Sequence, residues 1–279
     1  MRKHQKHGKI NYSDDLMEKI MIGFRQYSKN EEDQKVLEMQ CKDARKYFPN
    51  SYVVVALCGI KLVNENIADK VIHYSDKPLG FTRPLYELLK FAKENNFNQL
   101  ILCDGDDQHI FSELRKAYED GLKKKSDVVL PIRKNRNLFF EGKEKIDRIV
   151  LEDLENESIR ILLNIKFKDI QPGTLIVLNK KVIDNLNLEN VPNWIGDFVL
   201  VEKIKDFKVF EPEIKVREQK ITTVNLGRIF TQMKELEQYF NFSFLDIFNT
   251  VKNNIEKKSN RDISDAINEV KKEYEGFSL

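Results

Sequence analysis

Asn98-Gln99-Leu100-Ile101-Leu102-Cys103-Asp104-Gly105-Asp106-Asp107-Gln108-His109-Ile110 is the stretch on which the fold turns. Gln99 to Cys103 is a mostly apolar run, too short for a typical helix and bounded by polar residues, the pattern of a buried strand. The run stops at Asp104. Side chains alternate along an extended backbone, so Asp106 follows on the same side. Two carboxylates on one face, at the carboxyl end of a buried strand, make a hard oxygen site suited to Mg2+ or Mn2+ carrying phosphate oxygens. Gly105 lets the backbone bend between them. The plainer alternative is a polar turn whose acids cap the next helix.

Upstream, Lys19–Phe24 is a strand, and Asn30-Glu31-Glu32 opens a helix to about Tyr47 with Leu37, Cys41, Ala44 and Phe48 at helical spacing. Tyr52–Cys58 is a strongly apolar strand, and Lys70–Tyr74 a shorter one leading to the turn Lys77-Pro78-Leu79-Gly80. Pro84 at a first helical position starts a second helix, with Leu85, Leu88, Leu89 and Ala92 on one face. Downstream, Ser112 caps a third helix through Leu122, and Asp127–Ile132 is another strand. This alternation predicts an α/β fold: a mainly parallel central sheet with helices on both faces.

Beyond it come a basic loop, Arg133–Arg136, a charged helix over Ile146–Leu163, and a turn at Asp169–Pro172 before the strand Thr174–Asn179. A short helix over Val182–Leu188, a helix around Asp197–Lys205 and a late strand, Lys208–Val216, complete this part. From Leu226 three amphipathic segments follow, most simply core packing. The expected organisation is a basic arm over 1–16, a main domain over 17–223 and a C-terminal helical extension over 224–279.

The bulk numbers narrow the function classes. With 279 residues, 41% hydrophobic and 33% charged, the chain has material for one large core. A net charge of +2 gives no electrostatic reason to expect nucleic acid as the principal partner. Cys41, Cys58 and Cys103 are far apart and read as reduced residues, not as a disulfide framework or metal cluster. No apolar segment approaches the ~20 residues that cross a bilayer, and no apolar h-region follows the first residues. The expected location is the cytoplasm, with peripheral association at the cytoplasmic face of the membrane left open.

Asp104-Gly105-Asp106-Asp107-Gln108-His109 resembles the D-A-D-x-Q-H segment of family 2 glycosyltransferases, in particular the dolichyl-phosphate-mannose synthase-like branch. Four further segments resemble that branch, in the same order. They are the Gly-rich turn 77–83, Asp169-Ile170-Gln171-Pro172-Gly173-Thr174, Trp194-Ile195-Gly196-Asp197 and Glu211-Pro212. Together they cover roughly 19–220. The resemblance implies a GT-A fold and transfer of a sugar from a GDP- or UDP-linked donor to a polyprenyl phosphate or a soluble acceptor.

It also implies roles. Asp106 and Gln108 would face Mg2+ or Mn2+, which neutralises the diphosphate leaving group, with Asp104 close to the ribose or the metal. Asp107 would point away, and His109 would pack or hydrogen-bond. Tyr27, Glu31, Gly80 and Arg83 belong to the donor-binding segments. Arg133, Arg217 and Lys220 would supply cationic contacts to phosphate, with Arg148 a weaker candidate. Asp169 and Asp197 are the acids opposite the donor, placed to orient the acceptor or take its proton; for Asp197 a helix cap is the alternative.

The departures are specific. Tyr27, Asn30 and Glu31 match the family's P-x-Y-N-E segment only with altered spacing, Leu57-Cys58-Gly59-Ile60 lacks the acid that ends the family's second strand, and Val199 replaces the second acid after the tryptophan segment. Two other classes remain. A sugar-phosphate nucleotidyltransferase would need a glycine cluster around Arg25 and Lys29, and a non-catalytic scaffold would have no use for Asp104, Asp106 and Gln108.

Overall fold

Four parallel strands carry the amino-terminal half: β1 (Ile20–Ser28), β2 (Tyr52–Gly59), β3 (Lys70–Ser75) and β4 (Gln99–Asp104). The computed structural model describes residues 19–62, 64–134, 143–171, 173–217, 226–259 and 264–277. The arm expected at 1–16, Lys220 and the boundary at 223/224 lie outside them. With β5 (Val128–Val129), β7 (Thr174–Val177) and β8 (Val209–Phe210), the described residues form a seven-stranded sheet in the order β3-β2-β1-β4-β7-β5-β8. Only β7 runs antiparallel to its neighbours β4 and β5. A small parallel pair, β6 (Ile132–Arg133) and β9 (Glu213–Ile214), lies apart.

Period-two alternation sends each strand's apolar residues to two separate cores. Leu100 and Leu102 of β4 join Val54 and Ala56 of β2 on one face; Ile101 and Cys103 join Val53, Val55 and Leu57 on the other. Both faces are buried, so the strands read as continuous apolar runs. Helices α1 (Glu31–Tyr47) and α3 (Phe111–Lys123) cover the second face through Leu37, Cys41, Phe111 and Leu114. The first face is covered by α2 (Thr82–Glu94), α5 (Lys180–Asn185) and α6 (Gly196–Ile204), backed by α4 (Lys143–Leu163). Helices α7 (Leu226–Phe240), α8 (Phe244–Ser259) and α9 (Ser264–Glu275) extend that core with Ile229, Phe230, Met233, Phe248 and Tyr274. Their apolar stripes are core packing, as expected.

Several boundaries differ from the sequence reading. β1 runs four residues past Phe24, so Arg25 and Tyr27 are strand residues. The strand expected over 127–132 is split into β5 and β6 around Pro131, and that over 208–216 into β8 and β9 before Glu213 by Pro212, because proline has no N–H for the ladder. Helix α2 starts at Thr82, not Pro84; a proline at the third position is tolerated because the first four N–H groups of a helix have no intrahelical partner. Ser112 does not cap α3. That helix starts at Phe111, whose ring is buried against Phe24 and Phe48.

Candidate active site

Arg25 and Asp104 are register partners on β1 and β4, and their side chains join at the carboxyl edge of the sheet through Arg25 Nε. Arg25 Nη1 continues to both oxygens of Asp197, at 2.8 and 2.7 Å, in the first turn of α6. One guanidinium therefore ties the first acid of the D-G-D turn to the acid across the cleft. Burial disfavours its charge, but Asp104 and Asp197 outweigh that and hold its pKa above the ordinary arginine value. Such a buried cation needs both partners, since removing one side of a buried pair costs about 3–5 kcal/mol. Asp197 caps nothing: the residue before α6 is Ile195, with no side-chain cap bond. Gly173, at φ +66°, leaves the room Asp104 needs, because a Cβ there would lie 2.6 Å from Asp104 Oδ2.

The D-G-D turn divides its acids. Asp106 is exposed, and its Oδ1 accepts the backbone N–H of Gln108 at 3.2 Å. Gln108 is buried beside it. The backbone bends from Gly105, where a Cβ would stand 2.3 Å from Gln26 Oε1, through Asp107, which takes the left-handed conformation (φ +62°). That bend turns Asp107 onto Gln40 Nε2 of α1 and the guanidinium of Arg217. Arg217 also reaches Asp43 at 3.5 Å, and its N–H donates to the Gln108 carbonyl at 2.9 Å. Arg217 thus braces the turn from behind. His109 is fully buried and bridges Val216; burial pushes its pKa down to about 4, against the pull of Asp104 and with help from Arg133 and Arg25. It is a neutral packing residue.

Asp169 and Arg133 pair as a fork, Nε to Oδ2 at 2.8 Å and Nη2 to Oδ1 at 3.1 Å, with both largely buried. Asp169 Oδ1 also accepts the Gln171 N–H at 3.1 Å, fixing the turn that leads to Gly173. Val199 is buried in the core, a position with no room for the acid the family carries there.

Tyr27, Ser28, Lys29, Gly59, Lys61 and Asp76 line a hollow over the ends of β1 to β3. Tyr27 is 41% exposed, with Lys29 Nζ 5.4 Å from its ring centroid. An acid does line this hollow: Asp76, just past β3, beside His73 at 3.6 Å. Glu31 is exposed in the first turn of α1, which Asn30 caps through Asp33 N at 3.0 Å. Gly80 (φ +79°) packs on the Asn193 carbonyl, 2.1 Å from where a Cβ would stand. Arg83 pairs with Glu87 and lies over Tyr86 on its own helix.

Asp104, Asp106 and Gln108 stand on one turn, and their donors are all hard oxygens. That set fits Mg2+ or Mn2+. Among the described residues no three His, Cys, Asp or Glu converge on a metal site. An ion held by two carboxylates and an amide would take its other ligands from water and a substrate phosphate, as Mg2+ commonly does.

Two residues of this region escaped the sequence reading. Arg25 was weighed only as a loop cation; its signal was a charge inside the apolar run Ile20–Phe24 extended by one residue, which has to be paired if buried. Asp76 had no signal, since only tertiary packing brings the end of β3 beside Gly59.

No family model and no curated protein matches the sequence. Solved structures do. A glucosyl-3-phosphoglycerate synthase from Mycobacterium tuberculosis, in complex with Mn2+, UDP-glucose and glycerol 3-phosphate, is 11% identical with a TM-score of 0.57, over 81% of this chain and 82% of that one. The same enzyme with Mg2+ and UDP has a TM-score of 0.55 at 11% identity, over 81% of each chain. A structure described as a mycobacterial protein has a TM-score of 0.59 at 10% identity, over 81% of this chain and 76% of that one. Sheet order, helix placement and these similarities agree: the chain has the GT-A fold of nucleotide-sugar glycosyltransferases.

Proposed function

We propose that the chain is a glycosyltransferase that moves a sugar from a UDP-linked donor, with Mg2+ or Mn2+, to a soluble phosphorylated acceptor. The observation that carries this is the placing of Asp104, Asp106 and Gln108 on one turn at the end of β4, with Asp104 joined through Arg25 to Asp197. Structures that share the fold, one with Mn2+ and UDP-glucose and one with Mg2+ and UDP, support the donor class, and glycerol 3-phosphate in the first supports the acceptor class.

The bound metal supplies charge neutralisation of the departing diphosphate. The chain's own residues do the rest. Tyr27 offers a ring face to the base, Lys29 and Lys61 offset phosphate charge, and Asp76 takes the place of the absent second-strand acid. Arg25 fixes the spacing between Asp104 and Asp197. Asp197 orients the acceptor hydroxyl or accepts its proton. Arg133, through Asp169, holds the 169–173 turn against the cleft.

A thermal-shift panel of UDP-, GDP- and CMP-sugars with and without Mn2+ tests the donor, since a ligand bound only by the folded state raises its apparent stability. A UDP-sugar shift that requires metal is the expected result. Transfer to glycerol 3-phosphate-type acceptors, run beside liposomes carrying a polyprenyl phosphate, then separates the soluble acceptor from the lipid acceptor of the dolichyl-phosphate-mannose synthase-like branch. Among the described residues no helix is long and apolar enough to cross a membrane. Transfer to the liposomes alone would overturn the soluble-acceptor reading and leave the donor reading standing.

A further inference from the structure

Trp194, the single tryptophan of the chain, is gripped at three points by one face of α7. Its backbone N–H donates to Glu235 Oε2 at 2.8 Å, and its backbone carbonyl accepts from Gln232 Nε2 at 3.0 Å. The guanidinium of Arg228 lies 4.7 Å from its ring centroid. Residues 228, 232 and 235 are spaced by four and then three, which places them on one helical stripe. Arg228 also lies 3.7 Å from the centroid of Phe81, and Phe81 meets Trp194 edge-on at 5.4 Å. Arg25 is the other cation on the Phe81 ring, at 5.7 Å.

The start of α2 holds the same segment from its other side. Thr82 Oγ1 donates to the Pro192 carbonyl and accepts the Gly196 N–H at 2.9 Å, while its own N–H donates to the Asn193 carbonyl at 2.9 Å. Backbone groups of residues 192–196 are therefore satisfied partly by side chains of two helices, α2 and α7. Asp197 is the next residue. Its placement against Arg25 depends on this segment staying where the two helices hold it.

We propose that Arg228, Gln232 and Glu235 are positioning residues for the acceptor side of the site, acting through Trp194 on Asp197. The proposal rests on the glycosyltransferase reading and gives the C-terminal helices a part in the reaction. It also makes Trp194 a built-in reporter, because all tryptophan fluorescence comes from this one residue.

The test compares Glu235→Ala, Gln232→Ala and Glu235→Gln with wild type in the full chain. Four quantities are read: thermal midpoint, dissociation constant for UDP with Mn2+, acceptor KM with kcat, and tryptophan emission. Glu235→Ala and Gln232→Ala are expected to cut kcat over acceptor KM by about 10-fold or more, since a displacement of about 1 Å costs about 100-fold. Nucleotide affinity stays within twofold, and the emission shifts. Glu235→Gln, whose amide oxygen still accepts the Trp194 backbone N–H, restores the emission and most of the rate. The proposal is overturned if the alanine variants keep wild-type acceptor kinetics, if nucleotide affinity falls in parallel with transfer, or if Glu235→Gln is as impaired as Glu235→Ala. A wild-type protein that binds no nucleotide sugar fails the glycosyltransferase reading itself, and the proposal with it. Normal wild-type transfer matched by the alanine variants overturns the proposal alone.

Discussion

The β1–β3 side of the cleft and the α6 side meet at Arg25 but are built by different means. On the first, most of the lining side chains stand in solvent: Tyr27 is 41% exposed, Ile60 53%, and the Asp76 side chain 87%. On the second, nearly every group is already engaged. Asp197 is held by Arg25, Asp169 by Arg133, Thr82 by two backbone groups, and Trp194 by α7. A surface waiting for a ligand pays little until it binds; an interlocked wall keeps its geometry without one. The first suits a flexible nucleotide that brings its own charge and metal. The second suits the acceptor, whose attacking atom has to be aligned before reaction.

The largest effect is expected where the two sides join. Arg25→Leu leaves Asp104 and Asp197 without their shared cation, and about 3–5 kcal/mol of stability should be lost, as for other broken buried pairs. Chemical denaturation measures it, and transfer should vanish. A variant as stable as wild type would mean that Arg25 does not join the two sides. Next is Gly173→Ala. It strains a left-handed backbone by about 1–3 kcal/mol and drives a methyl group toward Asp104. Lower stability and weaker metal-dependent nucleotide binding are expected together, and loss of the first without the second would separate Gly173 from the donor side. The smallest is Tyr27→Ala, which removes a stacking face worth about 1–3 kcal/mol. Donor KM should rise about 10-fold or more at unchanged acceptor KM and unchanged stability. A change in acceptor KM instead would reverse the assignment of the two sides.

How far the sequence reaches differs along the same line. The strands of the β1–β3 side were legible because burial on both faces leaves an unbroken apolar run, as in Tyr52–Cys58. The D-G-D acids were legible as a polar stop to the apolar run Gln99–Cys103, but β4 ends at Asp104 and the chain bends over 105–107, so period-two alternation does not carry on to Asp106. Pro131 and Pro212 were visible as residues, yet their splitting of two strands follows from ladder geometry that a run of hydrophobicity does not encode. The interlocked side was nearly silent. Arg25, Thr82, Gln232 and Glu235 are ordinary polar residues until the fold brings them 38 to 172 positions across the chain to their partners. Lys220 lies outside the described residues, while Arg133 and Arg217 are seated on Asp169 and on Asp107 with Asp43.

Asp106, the exposed carboxylate of the D-G-D turn, is the residue on which metal-dependent donor binding turns. Isothermal titration of UDP-sugar into wild type and Asp106→Asn, with and without Mn2+, isolates it. The amide keeps the size of the side chain and removes its charge. Wild type should bind only weakly without metal and about 10- to 100-fold more tightly with it, by analogy with the cost of disturbing a metal site, while Asp106→Asn should bind equally weakly in both conditions with its fold intact. Metal-enhanced binding that survives in Asp106→Asn would contradict the assignment of the β4 end as the metal and diphosphate site.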